Sequence, residues 1–158
     1  MRLELRYYGD PILRKTALVI DKITDEVRML AKDMIETMDA LNGVGLAANQ
    51  VGQLCKLFVI RPEVKTPDDE FALGPAEVYI NPILSAPSQE TEVMTEGCLS
   101  FPGLHAEIER PLSIHIDAID LDGNPISLDV SGFKAREIMH ENDHLNGVLY
   151  IDRIRGKQ

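Results

Sequence analysis

Apolar residues recur every three to four positions between residues 25 and 41, at Val27, Leu30, Ala31, Met34, Ile35, Met38 and Leu41. That period belongs to one face of a helix. Thr24 is placed to cap it, and Asp25 and Glu26 fill a first turn in which negative charge is favoured. The pattern predicts a helix over about 25–41 that ends in a left-handed cap at Asn42-Gly43 and buries its methionines as core. Residues 57–60 and 78–84 read as strands, and the proline-rich, acidic stretch 62–77 between them as a surface loop. Leu112, Ile114, Ile116 and Ala118 alternate with polar residues, which marks a half-buried strand with His115 on its solvated side. The alternation slips at Ile119 and Leu121, as a β-bulge would cause. Asp122-Gly123 then offers a turn into Ile126, Leu128 and Val130, giving an antiparallel hairpin. Ser131 is placed to cap a second helix over about 132–145, closed by Asn146-Gly147. Strands and helices in this order, without repeats or linkers, predict an α+β fold in one domain over residues 1–158.

The second helix carries His140-Glu141-Asn142-Asp143-His144. Residues four apart on a helix stack on one face, so both imidazoles can reach one metal ion, with Glu141 beside it. A carboxylate there need not ligate; it can carry a proton between water and a leaving group. The alternative is a solvated, charged helix. A catalytic metal takes three protein ligands, and Cys98 in Glu96-Gly97-Cys98-Leu99-Ser100 would complete the set as a thiolate. A cysteine inside a cell is more usually a small buried apolar residue, but the preceding Gly97 allows an unusual backbone angle or a close approach. A third string, Gly43-Val44-Gly45-Leu46-Ala47-Ala48-Asn49-Gln50, brings backbone near a ligand and offers the Gln50 amide to an oxyanion. Its Gly-x-Gly lacks the third glycine and the preceding strand of a dinucleotide site.

Taken together in this chain order, the three strings resemble peptide deformylase, and Tyr8-Gly9-Asp10-Pro11-Ile12-Leu13-Arg14 is similar to that family's start. The resemblance implies antiparallel strands packed around a central helix that bears the H-E-x-x-H motif. It also implies one divalent metal held by Cys98, His140 and His144, with Glu141 as acid/base. Gln50 and the Leu99 backbone N–H would steady the tetrahedral intermediate. Gly43, Val44, Gly45 and Gly97 would line the place of the substrate, Gly45 on its main chain and Val44 and Gly97 around the methionine side chain. Asp143 would pair with Arg110 behind the metal. The implied reaction takes the formyl group from formyl-methionyl nascent polypeptides and releases formate. The implied metal is ferrous iron, with zinc, nickel or cobalt as substitutes. Asn49, Met139 and His105 stand where proline or threonine, glutamine, and arginine are frequent. A C-terminal helix that many bacterial members use in ribosome docking is not expected in a chain ending at Gln158, so ribosome contact is left open. Two other readings remain: a member that binds formylated peptides without turnover, or a metallopeptidase-like hydrolase of another substrate. A structural metal site with a fourth protein ligand is a further possibility.

Composition fits this picture. With 158 residues, 44% of them hydrophobic, the chain can bury a core. A net charge of −10 argues against general binding to nucleic acid backbones. Neither a membrane segment nor a signal peptide is visible, and a cytoplasmic location is expected. Cys55, before Lys56 and an apolar run, reads as a packed thiol, and two cysteines make no disulfide framework.

Overall fold

The computed structural model describes residues 1–154. Its elements in chain order are α1 (Asp25–Ala40), β1 (Gly45–Ala47), β2 (Leu57–Ile60), β3 (Glu63–Lys65), β4 (Phe71–Leu73), β5 (Glu77–Ser85), β6 (Thr91–Cys98), β7 (Phe101–Pro111), β8 (Ser113–Ile119), β9 (Pro125–Ser131) and α2 (Gly132–Leu145). Five strands form one antiparallel sheet in the order β1-β2-β5-β8-β9, and β6 and β7 form a separate hairpin. The fold is α+β.

Alternation along β2 explains how the sheet is covered. Leu57 and Val59 point into a core with Ala31, Met34 and Met38 of α1, whereas Phe58 and Ile60 point into another with Ala135, Ile138 and Met139 of α2. Each face therefore has its own helix, which is why β2 is apolar at every position. α2 is enclosed almost all round, with ten of its fourteen residues buried. A third core, built on Leu13, Phe101, Ile108, Leu149 and Tyr150, lies beneath the β6–β7 hairpin. Leu149 and Tyr150 are thus covered by this domain itself. Gln158, the chain end on which the docking expectation turned, lies outside the described residues.

The Thr24 hydroxyl accepts from the Val27 N–H at 3.3 Å and starts α1 as expected, and Asn42 leaves it with φ 56°. Three local expectations need correction. Ser131 occupies the cap position of α2 but makes no side-chain capping bond. The stretch 62–77 contains the β3–β4 hairpin, because Thr66 and Glu70 close a tight turn by backbone bonding that a proline-rich composition conceals. No bulge falls at Ile119–Leu121: β8 ends at Ile119, Leu121 lies in the following loop and packs against the α1 core, and the register shift is in β5 between Ile80 and Ile83. His115 is half-buried and paired, with Nδ1 2.8 Å from Asp129 Oδ1. Cys55 is a free thiol packed against the α1 core, and burial raises its pKa.

Candidate metal centre

Cys98 ends β6 where the pairing with β7 shifts register between Gly97 and Cys98, and that irregularity turns the thiol toward α2. From the helix, His144 Nε2 comes within 3.3 Å of the Cys98 sulfur. One donor atom from each of Cys98, His140 and His144 lies within 4.8 Å of the others. A converging thiol and two imidazoles, the imidazoles buried and the thiol half-buried, fit a borderline-soft divalent cation. Burial lowers the proton affinity of His144, whereas at His140 burial is outweighed by hydrogen bonds with Cys98 and Glu96 that raise the pKa to about 10, so ligation there would release a proton.

Glu96 is the residue that sequence reasoning overlooked. Its carboxylate accepts from His140 Nδ1 at 2.9 Å, Arg110 Nε at 2.6 Å and Nη2 at 3.0 Å, and Arg136 Nη1 at 2.6 Å. Holding Nδ1 points the other nitrogen of His140 at the cluster, the support that metal-bound histidines require. Burial raises the Glu96 pKa, but hydrogen bonds from His140 and Arg110 outweigh it and hold the carboxyl at about 2. A signal was available, since Arg136 and His140 are four apart on α2 and so face one partner. Arg110 Nη1 also reaches Asp143 Oδ2 at 3.0 Å, placing the expected pair together, and Arg153 Nε adds a second contact at 2.6 Å. The hairpin and the metal helix are thereby tied by charge behind the ligands.

In front of the ligands lies a cavity of about 320 Å³, lined among others by Gly43, Val44, Gly45, Gln50, Gly97, Cys98, Leu99, His140 and Glu141. Every residue expected to meet substrate is therefore on one wall or another. His144, Arg110 and Asp143 are not among its lining residues. Gln50 Oε1 accepts from the Ala47 N–H at 2.9 Å, which directs Nε2 toward Ser100 Oγ at 3.0 Å and Cys98 Sγ at 3.5 Å. Asn49 donates to the His144 carbonyl, so this residue helps to anchor the end of α2. His105 stands over Gly97, whose missing Cβ would lie 2.8 Å from the ring. Met139 is buried in the core between α2 and the sheet. Glu141 is 5% exposed and its Oε1 has no hydrogen-bond partner among the described residues. Burial, its largest perturbation, pushes that carboxyl up to about 7.

A sequence model of the family described as polypeptide deformylase matches residues 2–158. The chain belongs to the polypeptide deformylase family. Deformylases are metal-dependent hydrolases, and the Cys98–His140–His144 cluster is this member's candidate for the metal. The chain is 47% identical over 149 residues to peptide deformylase 1 of Clostridium perfringens, covering 94% of this chain and 95% of the relative. Among solved deformylases, the one from Synechococcus elongatus in complex with actinonin superposes with a TM-score of 0.89 at 40% identity, covering 98% of this chain and 80% of that one. A deformylase from Acinetobacter baumannii bound to Met-Ala-Ser gives a TM-score of 0.89 at 31% identity, covering 98% and 99%.

Proposed function

We propose that Cys98, His140 and His144 hold one divalent metal ion and that Glu141 moves the proton in hydrolysis of formyl-methionyl nascent polypeptides to formate and a free amino terminus. The observation that carries this reading is the convergence of the three donors beside a buried carboxyl with an unpartnered oxygen. The bound ion supplies Lewis-acid activation of water and of the formyl carbonyl. Glu141 Oε1 takes the proton of the attacking water and delivers it to the departing amine nitrogen. A carboxyl near neutrality in affinity suits both transfers. Gln50 Nε2, fixed through its own oxygen by the Ala47 N–H, donates to the oxygen that gains charge, and the Leu99 N–H is its partner donor. Gly45 takes the substrate main chain, while Gly43, Val44 and Gly97 leave room for it. Arg110 and Asp143 keep the two ligand-bearing segments in register.

The ion is ferrous iron on this reading, with zinc, nickel or cobalt able to occupy the same donors; a thiolate makes the iron form sensitive to oxidation. A fully protein-coordinated structural site would need a fourth ligand, and among the described residues the cluster consists of these three. Residues 1–158 act as one catalytic domain in the cytoplasm, without nucleic acid as partner; no helix among the described residues is long and apolar enough to cross a membrane. Protein loaded anaerobically with iron should release formate from a formyl-Met peptide, and loss of that release on chelation should be reversed by added metal. A protein that binds the peptide but releases no formate in any metal form would favour the non-catalytic reading.

A further inference from the structure

Glu137 has no role in the chemistry above, yet it lines the same cavity, is only 5% exposed, and has no hydrogen-bond partner among the described residues on either carboxyl oxygen. It stands one turn before Glu141 on α2, so the two carboxyls share a face. Buried polar groups are nearly always satisfied, and an unengaged carboxyl in a cavity wall points to a ligand donor. The described residues offer none. Lys134 acts on Glu137 but is held by Glu77 at 3.1 Å, and the Arg136 guanidinium is engaged by Glu96, the Ile108 carbonyl and the Glu92 carbonyl. Burial first, and then the carboxylates of Glu141, Glu63 and Glu77, push the Glu137 carboxyl up to about 8, so it holds a proton near neutral pH, and an entering cation takes that proton's place beside the carboxylate.

We propose that Glu137 makes the cavity a pocket for a first side chain ending in a cation, so that the chain deformylates formyl-ornithyl peptides as well as formyl-methionyl ones. This rests on the deformylase reading above. The formyl carbon must reach the Cys98–His140–His144 cluster, and the adjoining side chain then runs into the cavity beside it. Val44, Leu99 and Phe133 supply apolar wall for its methylenes. Ornithine matches methionine in chain length and carries an ammonium where methionine ends in a methyl group. The bond broken is the same formamide C–N bond; water gives the oxygen to formate and the proton to the amine.

The test compares kcat/KM of the iron-loaded enzyme on formyl-Orn, formyl-norleucine and formyl-Met tripeptides, with inhibition by the deformylated Orn and norleucine tripeptides as a binding readout. Norleucine has the same length and no charge. The expected result is that formyl-Orn is processed within about tenfold of formyl-norleucine, and that Glu137→Gln lowers the Orn/norleucine ratio by about tenfold or more, the worth of one charge-assisted hydrogen bond. The same ratio should fall in the inhibition constants. The wild-type comparison stands even where the variant folds poorly. Turnover of formyl-Met and formyl-norleucine with formyl-Orn more than ~10³-fold worse would overturn the pocket while leaving the deformylase reading intact. An unchanged ratio in Glu137→Gln would do the same. No turnover of any formyl peptide would remove both.

Discussion

A methyl group added at Gly45 should disable catalysis through Glu141 without disturbing the fold. The Gly45 backbone lies outside the left-handed region, so alanine meets no backbone penalty, and the three atoms nearest an added Cβ all belong to the Glu141 side chain. That Cβ would overlap Oε2 and lie 2.9 Å from Cδ and 3.2 Å from Cγ. Carbon atoms prefer separations of about 3.5–4.0 Å, so the carboxyl must retreat by roughly 1 Å. A misplacement of that size costs about 10²-fold in rate. Gly45→Ala is therefore expected to lower kcat for a formyl-Met peptide by about 10²-fold, measured as formate released. Overpacking of about 1 kcal/mol in a chain of this size moves Tm by no more than ~2–4 °C. Because the effect passes through Glu141, adding Gly45→Ala to Glu141→Gln should cost little more than Glu141→Gln alone. A kcat within twofold of the parent, or losses that multiply in the double variant, would refute the argument.

Other outcomes follow from the same geometry. Cys98→Ser should lose iron, since a neutral hydroxyl is a far poorer ligand than a thiolate, and elemental analysis showing full occupancy would remove Cys98 from the ligand set. Glu96→Gln leaves Arg110 and Arg136 buried with their shared anion gone, so unfolding free energy should fall by ~3–5 kcal/mol and metal affinity by ~10–100-fold. The Glu96 carboxyl is held below its ordinary 4.5, at about 2, so its stabilisation is complete above pH 4.5 and is lost as pH falls toward 2. That loss amounts to roughly 3 kcal/mol, and acid unfolding of Glu96→Gln should show a correspondingly weaker dependence on pH over this range. Asp143→Asn should weaken metal binding measurably by loosening Arg110 and Arg153; an unchanged metal dissociation constant would mean that the charge tie does not position the ligands.

Local signals served well where a single element settled the outcome. The helical stripe from Val27 to Leu41, the glycines after each helix and the apolar run of β2 each depend on near neighbours, and the observed α1, α2 and β2 lie within a residue of what they imply. The proposed metal donors stood out for a similar reason, since helical spacing alone puts His140 and His144 on one face. What escaped was set by contacts distant in sequence. Glu96 looks like part of a glycine-cysteine string until Arg110, Arg136 and His140 arrive from two other segments. Asn49, where proline or threonine is frequent, is fixed by a carbonyl 95 residues away. The β3–β4 hairpin is short and exposed at every residue, so no burial pattern marks it.

The most direct test compares the iron-loaded protein with Glu141→Gln, measuring bound metal and formate release from a formyl-Met peptide on the same samples. Glutamine keeps the size and hydrogen bonding of the side chain but carries no proton to the amine. The account predicts full metal occupancy in both proteins, rapid formate release by the first, and a loss of at least ~10²-fold in the second. Formate release by Glu141→Gln at the parent rate, with metal bound, would contradict it.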